Sequence, residues 1–470
     1  MTTRWRAGAW VAVIGLYLLA RAPHLDLALE RDEGAFAAVG EAILHGGVAY
    51  RDVFDHKPAG VHYAYAAALL VTPPTATGIH SFLLVWTFAT LLAVAAATAG
   101  LTSECAALWA AALFAVLSAS PAAQGFSATS EMLLLLPLTA SVWLALCAAS
   151  RADGTARLGL AALAGALGAA ACWFKPPALL PALTGVFVLV ARRHAGGGGA
   201  LRDLAAFAAG GAIVGAAPML ALVTVGADPW YWIVEHNRLC ASLAPGNWGE
   251  NIAVRWAQSR ADFAAPLALA AVGLTWAAWR RQCGAGLAMV WLVLSLAAVP
   301  HSPFLYRHDL ALALPALAAA GGIAIASLSA RRRATRFSAQ LALLALALAP
   351  GIAANPWYWF STDRVGIEAH VFGRQGFAAA ELVADYLRAN TTRTAPRGAG
   401  KGMFRQQLQQ MRAIGRGGTG PGGCSGSPRW ARMRAITRGS AMVATKRSRP
   451  PQSGHARTST PKVRRRQLAG

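Results

Sequence analysis

The sequence predicts an all-α polytopic membrane protein of about eleven transmembrane helices, ten to thirteen at the extremes, with an amphipathic first outer loop. Three observations carry that expectation. Of 470 residues, 56% are hydrophobic and 13% charged, whereas an ordinary soluble domain carries roughly 25% charged residues. Apolar runs close to the ~20 residues needed to cross a bilayer recur from Ala7 to Ala354. The bases between those runs fall largely on one side when the runs are threaded in order.

The first run, Ala7 to Ala22, follows Arg4 and Arg6. No small-residue cleavage site precedes Arg21, so the run reads as a retained helix and not as a removed leader. Basic breaks at Arg4/Arg6, Arg151/Arg157, Arg192/Arg193/Arg202, Arg280/Arg281 and Arg331/Arg332/Arg333/Arg336 mark the cytoplasmic side. From Arg157 onward, the runs 157–174, 177–191, 204–225, 263–279, 285–300, 310–329 and 338–353 alternate sides with every basic break inside. In the front half, the runs 61–71, 79–101, 105–120 and 131–149 separate the outer loop 24–60 from Arg151. Four crossings would put Arg151 outside. The short run Val61 to Val71, followed by "TPP", is therefore expected to dip into the interface without spanning. The N-terminus is then cytoplasmic, and 24–60, 121–131, 226–262, 301–309 and the chain beyond Ala354 lie outside.

The formal net charge of +23 suggests nucleic acid until it is located. Residues 391–470 hold 18 of the 43 Lys and Arg and no Asp or Glu, which leaves 25 bases against 20 acids, or +5, in residues 1–390. The basicity belongs to the tail, and no nucleic-acid partner is expected. Three of the six cysteines lie in apolar runs, and their spacing matches neither a metal site nor a disulfide framework. The expected organisation is a membrane core over 1–355, the start of an extracytoplasmic segment over 356–390, and a disordered basic tail over 391–470.

Four polar clusters interrupt the outer breaks. In "RDEGAFAAVGEAILHGG", Asp32 and Glu33 open a helical stripe of Phe36, Val39, Ala42 and Ile43 that ends at Gly46-Gly47, as in a helix lying on a membrane surface. Arg51, Asp52, Asp55, His56 and Lys57 then precede re-entry at Pro58. A lysine there suits a headgroup phosphate and a nearby carboxylate suits a general base; a solvated loop with a snorkelling lysine is the plainer alternative. In "SATSE", Glu131 heads an apolar helix, with Ser127 or Ser130 as its expected cap. Lys175 in "WFKPP" is a cation between two apolar runs, either functional or snorkelling. In "HSPFLYRHD", metal ligation by His301 and His308 lacks an established spacing, and contact of Arg307 or His308 with an anionic headgroup is the better expectation. The tryptophans of 228–248 read as an interfacial belt, or more sharply as sugar-stacking surfaces.

Together, "RDEGAFAAVGEAILHGGVAYRDVFDHKPAG", "SATSEMLLLL", "GALGAAACWFKPPALL" and "PFLYRHDLALALPALAAAGG" resemble, in that order, the bacterial membrane glycosyltransferases of the C superfamily. The family 39 type, related to protein O-mannosyltransferases and lipid A aminoarabinose transferases, is the most similar, over about residues 5–390. The resemblance implies an enzyme of the bacterial inner membrane. It would take a sugar from a polyprenyl-phosphate donor and pass it, with inversion, to a lipid, glycan or protein acceptor at the outer face. By the same resemblance Asp32 is the catalytic base, with Glu33 orienting or assisting it. Lys57 binds the donor phosphate, and Arg307 or His308 adds to that anion site. Asp55, His56, Glu131 and Lys175 are further cavity residues. The family's Lys-Pro-Pro is Lys57, Pro58 and Ala59 here. Some relatives use a divalent metal; no ligand set for one is evident, and no cofactor is assigned. A transporter or flippase of lipid-linked sugars is the alternative, which calls for ionisable groups near mid-bilayer and paired repeats. After "VADYLRANTT" the acid-free tail departs from the family pattern, and a reading-frame shift near Thr392 is the expectation that resequencing tests.

Overall fold

The computed structural model describes residues 3–372, apart from 153, 195–198, 243–246, 283, 302, 303 and 330–332; the tail 391–470 and the proposed frame shift lie outside the described residues. The described elements are helical. Helix α1 spans Thr3–Arg21, α2 Arg31–Leu44, α3 Ala59–Val71, α4 Ala76–Leu101, α5 Glu104–Leu117, α6 Ser130–Ser150 and α7 Gly154–Cys172. A second group comprises α8 Leu179–Ala182, α9 Thr184–His194, α10 Ala200–Thr224, α11 His236–Ala241, α12 Trp248–Trp279, α13 Ala285–Ala298, α14 Leu314–Leu328 and α15 Arg333–Ala354, followed by α16 Pro356–Trp359 and α17 Arg364–Phe372. Among the described residues, seven helices are long and apolar enough to cross a membrane, namely α4, α6, α7, α10, α12, α15 and α14 with its preceding turn; four shorter apolar helices accompany them. With α1, they account for each apolar run.

Local sequence sets the boundaries. Side chains of Thr75, Ser103, Thr129 and Asn247 accept from the backbone N–H groups of the first turns of α4, α5, α6 and α12. At α6 this corrects the expected cap: Thr129 Oγ1 accepts from Met132 N at 3.3 Å, while Ser130 Oγ donates to Glu131 Oε2 at 2.9 Å. Helix α12 starts at Trp248, inside the stretch expected to be an outer loop, because Asn247 Oδ1 accepts from Glu250 N at 2.9 Å. The run 177–191 is broken into a 3-10 turn at Pro176–Ala178, α8 and α9, since Pro176, Pro177 and Pro181 remove backbone donors. Helix α3 is 13 residues long, about 20 Å at 1.5 Å per residue against the ~30 Å hydrocarbon core.

Helices α5 and α14 form the middle of the bundle and are buried over most of their length. Helix α10 turns Leu201, Ile213, Leu220 and Val223 outward, as a helix facing lipid does. It crosses α7 at small residues: a Cβ on Gly210 would lie 1.9 Å from Ala162 O, a backbone approach that larger residues forbid.

The segment after the last long helix returns to the first loop. His24 stacks on Tyr358 with ring centroids 4.1 Å apart, Ala28 N donates to Glu368 Oε1 at 2.8 Å, and Arg364 pairs with Asp26. Leu27, Phe126, Tyr358 and Ile367 pack together. Buried Arg21 donates to Ser118 O at 2.8 Å and Gly125 O at 2.6 Å. The chain entering α2 is thus fixed from behind.

Candidate active site

Helix α2 begins with a capping box. Glu30 Oε2 accepts from Asp32 N at 2.7 Å, and Glu33 Oε2 accepts from Glu30 N at 2.9 Å. Glu33 is fully buried. Its Oε1 accepts from Ala128 N at 2.6 Å and lies 3.3 Å from His80 Nε2; Tyr65 OH, 3.5 Å from the same oxygen, donates to Ala128 O at 2.9 Å. Glu33 therefore locks α2 to the turn before α6, and its carboxylate is turned away from solvent. Asp32, beside it, is half-buried and accepts from Arg31 Nε at 3.1 Å and Nη2 at 3.0 Å, both at Oδ1. Arg31 is largely exposed, so this pair is solvent-screened and weak. Asp32 Oδ2 has no hydrogen bond among the described residues.

Glu30 was not among the residues singled out in the sequence. Burial first, then the negative charges of Asp32 and Glu33, push its carboxyl from 4.5 up to about 7, although the Asp32 N–H and Arg31 oppose this. A raised carboxyl binds its proton more tightly in the folded chain. The associated stability is complete below pH 4.5 and is lost as pH rises through about 7. In thermal melts Glu30→Gln is expected to flatten the fall in stability across that window. An unaltered slope would place the titration elsewhere.

The loop before α3 is held by its own side chains. Asp55 Oδ1 accepts from His56 N at 2.5 Å and Lys57 N at 3.2 Å, and Oδ2 bonds His62 Nε2 at 2.9 Å. Burial raises the Asp55 carboxyl, but His56 and His62 outweigh it and hold the group well below the usual carboxylate range. Tyr50 OH donates to Lys57 O at 2.6 Å. Gly60 N donates to Trp173 O at 2.9 Å, and a Cβ on Gly60 would sit 2.5 Å from that oxygen. With its backbone pinned in this way, Lys57 has no carboxylate within ion-pair distance among the described residues, although its charge acts on Glu131.

Lys175 does not snorkel. It is 8% exposed and pairs with Glu131 and, at 2.5 Å, with Asp309 Oδ1. His308 Nδ1 donates to Gln124 Oε1 at 2.7 Å, and its Nε2 lies 3.7 Å from Glu131 Oε1. His301 Nε2 lies 3.9 Å from Asp309 Oδ1. Arg307 does not join this group: the charges acting on it are Asp262 and Arg255, and its buried Nε has no hydrogen-bond partner among the described residues. Gln124 and Leu305 adopt φ of +50° and +36° around the cluster, and Tyr50 +65° beside Lys57. Left-handed backbone at such residues costs energy and gathers at functional sites.

The structure thus brings Glu131, Lys175 and His308 together, with Lys57 in electrostatic range, and connects Asp32 to them through Glu33, Ala128 and the turn into α6. Asp55 and His56 shape the Lys57 loop, and Trp232 lies 5.1 Å from Phe54 of that loop. Sequence reading passed over Glu30, His62 and His80 and gave Asp309 no role. A histidine in an apolar helix needs a buried partner, and that signal would have found His62 and His80. Glu131, His308 and Asp309 each offer a ligand atom within 4.8 Å of one another. A divalent ion must approach such oxygens to ~2.0–2.6 Å, yet Lys175 Nζ already bridges both carboxylates. With Lys175 in place, these residues do not fit a metal ion.

No protein-family model and no curated protein matches the chain. Among solved structures, the chain is similar to ArnT from Cupriavidus metallidurans in the apo state, with a TM-score of 0.57 and 14% identity over 83% of this chain and 81% of that one. The same protein bound to undecaprenyl phosphate gives 0.54 and 16%, over 82% and 73%. The oligosaccharyltransferase of Archaeoglobus fulgidus, tethered to an acceptor peptide containing the NVT sequon, gives 0.51 and 11% over 84% of this chain and 58% of that one. At these identities the fold is what is shared. The chain has the polytopic helical fold expected from its resemblance to the C superfamily.

Proposed function

We propose that the chain is an integral-membrane, inverting glycosyltransferase that moves a sugar from a polyprenyl-phosphate donor to a lipid, glycan or protein acceptor at the outer face of the bacterial inner membrane. The observation that carries this reading is that Lys57, whose ammonium has no carboxylate within ion-pair distance among the described residues, adjoins Pro58 in the lining of an apolar cleft of about 440 Å³, with Cys172, Trp173, Leu183, Phe207 and Met219. A cation one residue from the lining of an apolar cleft suits a lipid phosphate. Similarity to ArnT bound to undecaprenyl phosphate supports the same ligand class.

Asp32, with Oδ2 open, deprotonates the acceptor, and Glu33 holds α2 in register for it. Lys57 neutralises the departing polyprenyl phosphate. Arg307, whose Nε has no hydrogen-bond partner among the described residues, adds positive charge, and His308 offers an imidazole nitrogen as a further polar contact. Negative charge grows on the leaving phosphate in the transition state, so fixed cations lower the barrier. Inversion needs one base and no carboxylate nucleophile. Basic breaks support a cytoplasmic N-terminus, which puts this end of the bundle outside. We take 1–355 as the membrane core and 356–390 as the start of an outer segment, an assignment supported by the docking of α16 and α17 on the first loop.

Lys57→Ala is expected to weaken undecaprenyl phosphate binding, read by native mass spectrometry or calorimetry in lipid nanodiscs, about 10- to 100-fold, the value of one charge-assisted contact. Unchanged affinity would remove Lys57 from the phosphate site.

A further inference from the structure

Lys175 is the most enclosed cation of the outer cluster, and the proposed transfer gives it no task. It is held between Glu131, 1% exposed, and Asp309, 0% exposed. The other two carboxylate oxygens are already satisfied, Glu131 Oε2 by Ser130 Oγ at 2.9 Å and Asp309 Oδ2 by Tyr306 N at 2.7 Å. His308 Nε2 faces Glu131 Oε1. Two carboxylate oxygens and an imidazole nitrogen, Glu131 from α6 and the adjacent His308 and Asp309 from the turn before α14, form a donor set of the kind that holds divalent ions. The ammonium bridges the two carboxylates of that set. That ammonium is delivered by a fixed stem: Lys175 N donates to Ala171 O at 3.2 Å, and the next two residues are Pro176 and Pro177.

We infer that Lys175 is a built-in cation occupying the position of a divalent metal ion, so that this site works without metal and admits a divalent ion only when Lys175 is removed. Two buried carboxylates this close cannot both stay ionised without a counter-charge. The chain supplies that charge covalently, and the site's charge is then independent of the metal concentration outside the membrane. Only the assignment of the cluster to the active site rests on the proposed glycosyl transfer; the competition between ammonium and metal does not.

The test uses full-length protein in detergent with Mn²⁺ as the probe, followed by electron paramagnetic resonance and by thermal melting. Wild type is expected to bind no Mn²⁺ that Asp309→Asn abolishes, and to melt alike with Mn²⁺ or EDTA. Lys175→Ala is expected to melt lower, to recover with Mn²⁺, and to bind one ion at least ~100-fold more tightly than wild type, in line with the cost of leaving buried charge uncompensated. Glu131→Gln/Lys175→Ala should bind none. An ion in wild type that depends on Asp309, or a folded Lys175→Ala without Mn²⁺ affinity, overturns the inference. Failure of Lys175→Ala to fold when prepared in Mn²⁺, while Glu131→Gln/Lys175→Ala folds, overturns it too, because metal ought to replace the missing charge; failure of both is decided by the wild-type arm. Binding and melting are read without turnover, so an inactive enzyme speaks against the transferase reading alone.

Discussion

Asp32→Asn is expected to slow sugar transfer about 10²- to 10⁴-fold, the usual contribution of a positioned general base, with donor binding little changed. Asparagine has the same shape and still accepts from Arg31, yet it cannot take a proton from an acceptor. The backbone is unaffected, because the capping box uses the side chains of Glu30 and Glu33 and the N–H of residue 32. Arg31 and Asp32 form a screened pair, so melting should hardly move. Single-turnover transfer and donor affinity, measured together, separate the base from a binding residue. Full transfer in Asp32→Asn removes Asp32 from that role.

The second large effect is structural. Glu33→Ala is expected to destabilise the fold by about 3–5 kcal/mol, because it strips a fully buried carboxylate from its donors. Ala128 N and Glu30 N would each lose an acceptor, and His80 Nε2 the carboxylate oxygen 3.3 Å away. Helix α2 would no longer be tied to the turn leading to Glu131, so transfer should fall with the melting temperature. Glu33→Gln keeps one acceptor oxygen but presents an amide N–H to a second donor, and an intermediate loss is expected. An unshifted melting curve in Glu33→Ala would show that the Glu30 side-chain cap on Asp32 N and the docking of α16–α17 hold the loop without it.

Much of this arrangement is legible in the sequence because membrane burial leaves strong marks. Apolar runs of bilayer length locate the helices, and the charged breaks locate the end at which Asp32, Lys57, Glu131 and Lys175 are found. The limits were set by partners distant in sequence. Glu33 is 95 residues from Ala128 and Lys175 is 134 from Asp309, so nothing local distinguishes a snorkelling lysine from a bridged one, or an assisting carboxylate from a buried tie. Arg307 and His308 are adjacent in sequence, yet a 3-10 turn sends them to different partners. The cap of α6 went to Thr129 because Ser130 is engaged by Glu131. Glu30 is raised by surroundings that only the folded loop creates.

The central claim is that this end of the bundle transfers a sugar from a lipid phosphate and does not carry a lipid-linked sugar across the membrane. Purified protein in sealed liposomes, given a panel of radiolabelled polyprenyl-phosphate monosaccharides and lipid, glycan and protein acceptors, tests it directly. The account predicts label on an acceptor and free polyprenyl phosphate in equal amounts, both formed about 10²- to 10⁴-fold more slowly in Asp32→Asn. Label that changes leaflet while the sugar–phosphate bond stays intact, with no acceptor labelled, would contradict it and favour a flippase.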